Sequence, residues 1–140
     1  FRKYVPEILQ ETPDDLAIMV DTQWRESANR HREADYMKGS LPYSRQHYGR
    51  RVFLERMAGD LPEDETHGEW MGFFKIAPAK LQTVRSVLDT LLADPANNGA
   101  KFPQLFNALV AQGHPIQVIY TTGHWLDIDN LEDVINAGSF

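Results

Sequence analysis

Leu16-Ala17-Ile18-Met19-Val20-Asp21 is an apolar run closed by a carboxylate, and the turn cluster Glu11-Thr12-Pro13-Asp14-Asp15 precedes it. A short continuous apolar run bounded by turn residues reads as a strand buried on both faces, as in a parallel or mixed sheet. Upstream, Val5, Ile8 and Leu9 have helical spacing, with Pro6 restricted to a first turn. Downstream, residues 22–47 are polar and show no period, which predicts a long loop. A loop of that length inside a compact domain is usually functional or disordered. Val52-Phe53-Leu54 and Trp70-Met71-Gly72-Phe73-Phe74-Lys75-Ile76 read as strands separated by the acidic stretch 59–65. They are expected to pair as an antiparallel ribbon beside the main sheet.

Further along, Pro78 opens a helix whose Leu81, Val84, Leu88, Leu91 and Leu92 form one apolar stripe, stopped at Asp94-Pro95. A second helix starts at Pro103, buries Leu105, Phe106, Leu109 and Val110, and ends at Gly113. Pro115-Ile116-Gln117-Val118-Ile119-Tyr120 is a β-branched strand, and residues 124–129 read as a short strand or strand end. Asn130 is an N-cap with Asp133 as its capping-box partner, followed by Leu131, Val134 and Ile135 on an apolar helix face. The order of elements predicts an α/β or α+β chain, a single unit over residues 1–140.

Composition narrows the function. Hydrophobic residues make up 42% and charged residues 24%, values of an ordered globular chain. With no cysteine, disulfides, zinc–thiolate sites and thiol catalysis are excluded, and a cytoplasmic setting is expected. A net charge of −6 disfavours a nucleic-acid partner. No apolar run approaches the ~20 residues needed to cross a bilayer, so no membrane partner is expected. Within this acidic chain, residues 21–57 are locally basic, carrying Arg25, Arg30, Arg32, Lys38, Arg45, Arg50, Arg51 and Arg56. Such a stretch is either a solvated face or a site for a small anion. His31, His47, His67, His114 and His124 have no metal-binding spacing and read as loop and surface residues.

The sharpest local pattern is Trp125-Leu126-Asp127-Ile128-Asp129-Asn130-Leu131-Glu132-Asp133. Carboxylates at i and i+2 share one side of a strand, where oxygen ligands suit Mg²⁺ bound together with substrate phosphates. The same residues also suit a plain helix cap at Asp129 or Asn130.

This stretch resembles the closing motif of nucleotidyltransferase domains of the sugar-nucleotide and cytidylyltransferase type. Val20-Asp21-Thr22-Gln23-Trp24-Arg25-Glu26-Ser27 and Gly68-Glu69-Trp70-Met71-Gly72-Phe73-Phe74-Lys75-Ile76 resemble two further motifs of a narrower group. That group is the phosphonate-activating cytidylyltransferases, often fused to phosphoenolpyruvate mutase. The three motifs occur in the same order over nearly the whole chain. The resemblance implies a Rossmann-like fold with a mixed sheet, of which this chain is the C-terminal half. It implies transfer of CMP from CTP, the co-substrate, to a phosphonate or phosphate monoester, with Mg²⁺ as cofactor. It places catalytic and metal-binding roles on Asp127, with Asp129 as the alternative or additional metal ligand. It assigns Asp21, Trp24, Arg25, Arg30 and Glu69 to the acceptor substrate. On the residues alone, Trp24 fits equally a pocket wall or a loop anchor, and Glu69 fits a supporting or structural role.

The glycine-rich phosphate loop and first metal-binding Asp of such enzymes have no counterpart in the sequence. The chain opens on Phe1 and reads as part of a longer polypeptide, expected to be inactive alone. An uncovered run at residues 16–20 and an uncovered face on helix 78–92 are then expected. They would favour self-association or pairing with a missing N-terminal half. The contrasting expectation is a non-catalytic α/β module that binds a small anion or a protein partner.

Overall fold

A computed structural model describes residues 5–26, 33–123, 125, 128 and 130–138. Helix α1 (Val5–Glu11) leads into strand β1 (Leu16–Asp21). Strands β2 (Tyr36–Gly39), β3 (Val52–Ala58) and β4 (Gly68–Ile76) follow. Helices α2 (Leu81–Ala93) and α3 (Phe102–Ala111), strand β5 (Gln117–Thr121) and helix α4 (Leu131–Ala137) complete the described order. The strands close into a barrel in the order β1-β4-β2-β3-β5.

This corrects the expected Rossmann-like mixed sheet. Such a sheet is open, mostly parallel and covered by helices on both faces. Here only β1 and β5 run parallel among the described pairs; β1–β4, β4–β2, β2–β3 and β3–β5 are antiparallel. The chain is a small mixed α/β protein with a closed five-strand barrel and four short helices among the described residues.

The closure depends on β2, which lies inside the stretch expected to be a loop. Tyr36 and Met37 pair with Glu69 and Gly68 of β4, while residues 36–39 pair with β3 on the other side. The expected ribbon of β3 against β4 is therefore replaced by β3–β2–β4. β2 is short and buries only Met37 and Gly39, so its alternation is lost in a polar context. On the far side, Val52 and Phe53 pair with Val118 and Gln117. Beyond that point β3 leaves β5, and Asn107 of α3 takes over. Its side chain donates to the Met57 carbonyl at 2.7 Å and accepts from the Met57 N–H at 2.8 Å, so both backbone groups are satisfied.

β1 is buried on both faces, as its run predicts. Residues 16–20 are at most 1% exposed. Leu16, Ile18 and Val20 join Met37, Leu54, Met57, Val118 and the helix residues Val84, Val87, Leu105, Phe106 and Leu109 in the main core. Met19 faces the other way, onto Val5 of α1 and Met71, with Leu9, Phe73, Ile119 and Trp125 packed around them. The expectation that residues 16–20 lack cover is thus not met. The α2 stripe meets the core at Val84, which is buried, and at Leu88 and Leu91, which are partly buried against it, as expected; Val87 joins this face, whereas Leu81 and Leu92 at its ends are exposed. Helix α3 ends as predicted, with Gly113 N–H bonded to the Val110 carbonyl and His114 N–H to that of Leu109, both at 3.0 Å. Asn130 and Asp133 exchange the expected capping-box bonds at 3.1 Å. The face they were expected to bury, Leu131, Val134 and Ile135, is exposed. No described helix is long and apolar enough to cross a membrane.

Candidate functional site

The site begins at the end of β1, where the alternation that points Leu16, Ile18 and Val20 into the main core points Asp21 to the opposite face. Asp21 is the register partner of Thr121 on β5 and of Glu69 on β4, and Glu69 is the partner of Tyr36 on β2. Register partners lie on the same face. A polar row therefore crosses four strands: Thr121, Asp21, Glu69, Tyr36. Below it lies the apolar floor of Ile119, Met19 and Met71.

Two glycines make this register possible. At Gly68 a Cβ would collide with the Val20 side chain and lie 2.8 Å from the Asp21 carbonyl oxygen, so only glycine lets β4 approach the end of β1. Between the pairs Val20↔Trp70 and Ile18↔Phe74 the register shifts, leaving Met71, Gly72 and Phe73 opposite Met19. Gly72 takes φ 81° in this bulge, a conformation costly for any residue with a Cβ. The indole N–H of Trp70 donates to the Phe73 carbonyl at 3.0 Å across the same bulge. The Gly-Glu-Trp-Met-Gly motif thus has a structural account for its outer glycines.

Asp21 and Glu69 are both buried, at 4% and 3% exposure. The Asp21 Oδ1 accepts from the N–H of Gln23 at 2.9 Å and of Gly123 at 3.1 Å. These bonds tie the carboxylate to the turns that follow β1 and β5. Like charges at opposed strand positions repel, so such a pair favours cationic groups or hydrogen-bond donors beside it. Directly after β1 comes the 3₁₀ turn Trp24–Glu26. Trp24 is buried and packs on the Tyr36 ring, centroids 5.1 Å apart. The Arg25 guanidinium lies 4.8 Å over the Trp24 ring while its Nε donates to Glu63 at 3.0 Å. Arg25 is thereby turned to Glu63 and the indole face.

The structure therefore unites Asp21, Trp24 and Glu69, with Arg25 behind the tryptophan. Arg30, Asp127 and Asp129 lie outside the described residues, as do most of residues 124–129; Trp125 and Ile128 have no regular secondary structure. Trp125 packs into the Met19–Met71 cluster, on the face that carries Asp21. Among the described residues no group of three or more His, Asp or Glu side chains is placed to hold a metal ion.

Sequence reasoning missed Tyr36, Thr121 and the Gly123 N–H. Tyr36 belongs to the unrecognised β2, and the other two enter through the parallel β1–β5 register, for which the sequence carries no local marker. His67 lies in the connection before β4, as its reading as a loop residue expects, but it is not a solvated surface residue. His67 is half-buried, and its Nδ1 accepts the Gly39 N–H at 3.1 Å where β2 departs from regular pairing. Burial, together with the nearby Lys38 charge, lowers its pKa below the usual 6.5, against an opposing pull from Glu55.

A cleft of about 620 Å³ lies apart from this row, lined by Glu33, Asp35, Asp60, Lys101 and Asn107 among others. Lys101 is paired there with Glu33 at 2.9 Å, an exposed ion pair. We place the candidate site at the buried row, because Asp21 is fixed by backbone donors and both carboxylates are buried in strand register, whereas the Lys101–Glu33 pair of that cleft is exposed. No protein-family model matches this chain, and no curated protein matches it.

Proposed function

We propose that the Asp21–Glu69 row, with Trp24 and Tyr36, is the acceptor site of an enzyme that transfers CMP from CTP to a phosphonate or phosphate monoester. The chain supplies the acceptor and metal-binding half. The observation that carries this reading is the convergence of Asp21, Trp24 and Glu69 from two separate motifs onto one face, with the two carboxylates buried in register. The barrel removes any support from a shared fold, so the reading rests on the site residues alone.

In this reaction an acceptor oxygen attacks the α-phosphorus of CTP, a P–O–P bond forms, and pyrophosphate leaves. Asp21 and Glu69 hold a cationic head of the acceptor, which favours an amine-bearing substrate such as aminoethylphosphonate or phosphocholine over hydroxyethylphosphonate. Trp24, packed on the Tyr36 ring, walls this site. Mg²⁺, assigned to Asp127 and Asp129, supplies charge neutralisation on the phosphates when bound.

Calorimetric titration of the chain with 2-aminoethylphosphonate tests the acceptor role. Binding is expected to weaken about tenfold in Asp21→Asn and in Glu69→Gln, the scale of a lost charge-assisted contact. Absence of binding, or equal affinity in both variants, overturns the role. The chain alone is expected to release no pyrophosphate from CTP, whereas a complete domain is expected to lose most activity on Asp127→Asn. A second reading, a non-catalytic module that binds a small anion or a protein, is favoured by the coverage of β1 by this chain's own residues. Amine binding without any transfer by the complete domain would select it.

A further inference from the structure

The basic stretch noted in the sequence separates into paired and unpaired cations once the chain is folded. Arg25 pairs with Glu63, Lys38 with Glu65 and Arg51 with Asp14. Arg45 and Arg50 form no ion pair among the described residues, and both line one cleft of about 430 Å³ between the β2–β3 connection and β5. Among the described residues no Asp or Glu lines this cleft, although the chain as a whole carries a net charge of −6. Its remaining walls include Tyr43, Tyr48 and Tyr120.

We infer that this cleft binds a phosphate or phosphonate monoester that carries a flat ring, such as a nucleoside monophosphate or an aryl phosphate. The guanidinium groups of Arg45 and Arg50 match the oxygens of such a dianion, and unpaired arginines keep their donors available for it. The tyrosines provide the partner for the ring. Tyr120 is held by donating its hydroxyl to the Leu41 carbonyl at 2.7 Å, and burial pushes its pKa well up, so it is a neutral wall. Tyr43 packs edge-on against it, centroids 6.0 Å apart. Tyr48 is 94% exposed, a ring left without cover at the rim. Exposed aromatic surface beside free cations is the combination that recognises a planar anion. The volume lies in the range of small-molecule sites.

The connection is also ordered before any ligand arrives. Ser40 N–H donates to the Phe53 carbonyl at 2.8 Å, and Phe53 N–H donates back to the Ser40 hydroxyl at 3.0 Å. Ser44 caps the 3₁₀ turn Arg45–His47 by accepting from Gln46 N–H at 3.2 Å. Because a carbonyl only accepts, the 3.1 Å contact of His47 Nδ1 with the Pro42 carbonyl places a proton on Nδ1. Arg50 N–H closes onto the His47 carbonyl at 3.0 Å. A loop tied at this many points lowers the ordering cost of binding.

The site shares no lining residue with the Asp21–Glu69 row, and its test involves neither carboxylate. Failure here leaves the acceptor proposal standing, and the converse holds. Calorimetric titrations of the whole chain with phenyl phosphate and with inorganic phosphate form the test. Phenyl phosphate is expected to bind about tenfold tighter, the scale of one ring-stacking contact. Arg45→Gln and Arg50→Gln are each expected to weaken both probes about tenfold. Tyr48→Ala is expected to weaken phenyl phosphate alone. All three side chains are exposed, so the variants are expected to keep the wild-type circular dichroism spectrum. No saturable binding of phenyl phosphate, or binding unchanged in both arginine variants, overturns the site. Equal affinity for the two probes overturns the ring recognition.

Discussion

The β1–β4 pair has two buried faces that are buried for different reasons. On one, Leu16, Ile18 and Val20 of β1 and Trp70, Phe74 and Ile76 of β4 meet α2 and α3 in a continuous apolar core. Phe106 sits at its centre, fully buried, with the rings of Trp70, Phe74 and Phe102 within 5.7 Å of its centroid. On the other face, Met19 and Met71 continue the apolar pattern for one row, and then Asp21 and Glu69 end it. The first face is held by burial, the second by backbone donors and register. Because successive residues of a strand point to opposite faces, the same six residues serve both, and a slip of one position would exchange them. The close approach at Gly68 and the bulge at Gly72 hold that register.

The largest expected effect is on the core face. Phe106→Ala should lower stability in urea unfolding by about 3–5 kcal/mol, the sum of lost burial and a cavity that rigid rings cannot collapse. A loss smaller than that of the next variant would reverse the ranking of the two faces. Asp21→Ala leaves the N–H groups of Gln23 and Gly123 without their acceptor and should cost about 1–3 kcal/mol. Asp21→Asn keeps an acceptor oxygen and should cost less, so that a loss of ligand binding in it is read apart from loss of fold. If Asp21→Ala unfolds at the wild-type urea midpoint, the carboxylate does not hold the rim.

The smallest effect concerns His67, where β2 meets the β4 end of the row. Its folded pKa is lowered, so the unfolded chain takes up the proton first on acidification. The stability linked to this residue is complete above the ordinary value of 6.5 and is lost as pH falls from there toward the lowered folded value. Protonation of Nδ1 would also displace the Gly39 N–H. His67→Gln should flatten the unfolding midpoint against pH in that window. An unchanged slope would show that the rim does not respond to this ring.

What the sequence determined by itself is local. The uninterrupted apolar run 16–20 required cover on both sides, because each pleat carries a side chain with no affinity for water, and both faces are buried. The stop of α3 at Gly113 and the Asn130–Asp133 capping box were equally legible, since they depend on neighbouring residues and backbone donors alone. The approach of Asp21 to Glu69 was implied only by resemblance. Pairing β1 to β4 with Gly68 at the crossing brings them into register, a long-range fact that no local pattern records. The barrel was decided entirely by tertiary structure. β2 is four residues long, and its place between β3 and β4 is stabilised by partners on both sides rather than by its own composition. The exposure of Leu131, Val134 and Ile135 belongs to the same class. Helical spacing shows which side chains share a face, and only the folded chain shows whether anything packs against it.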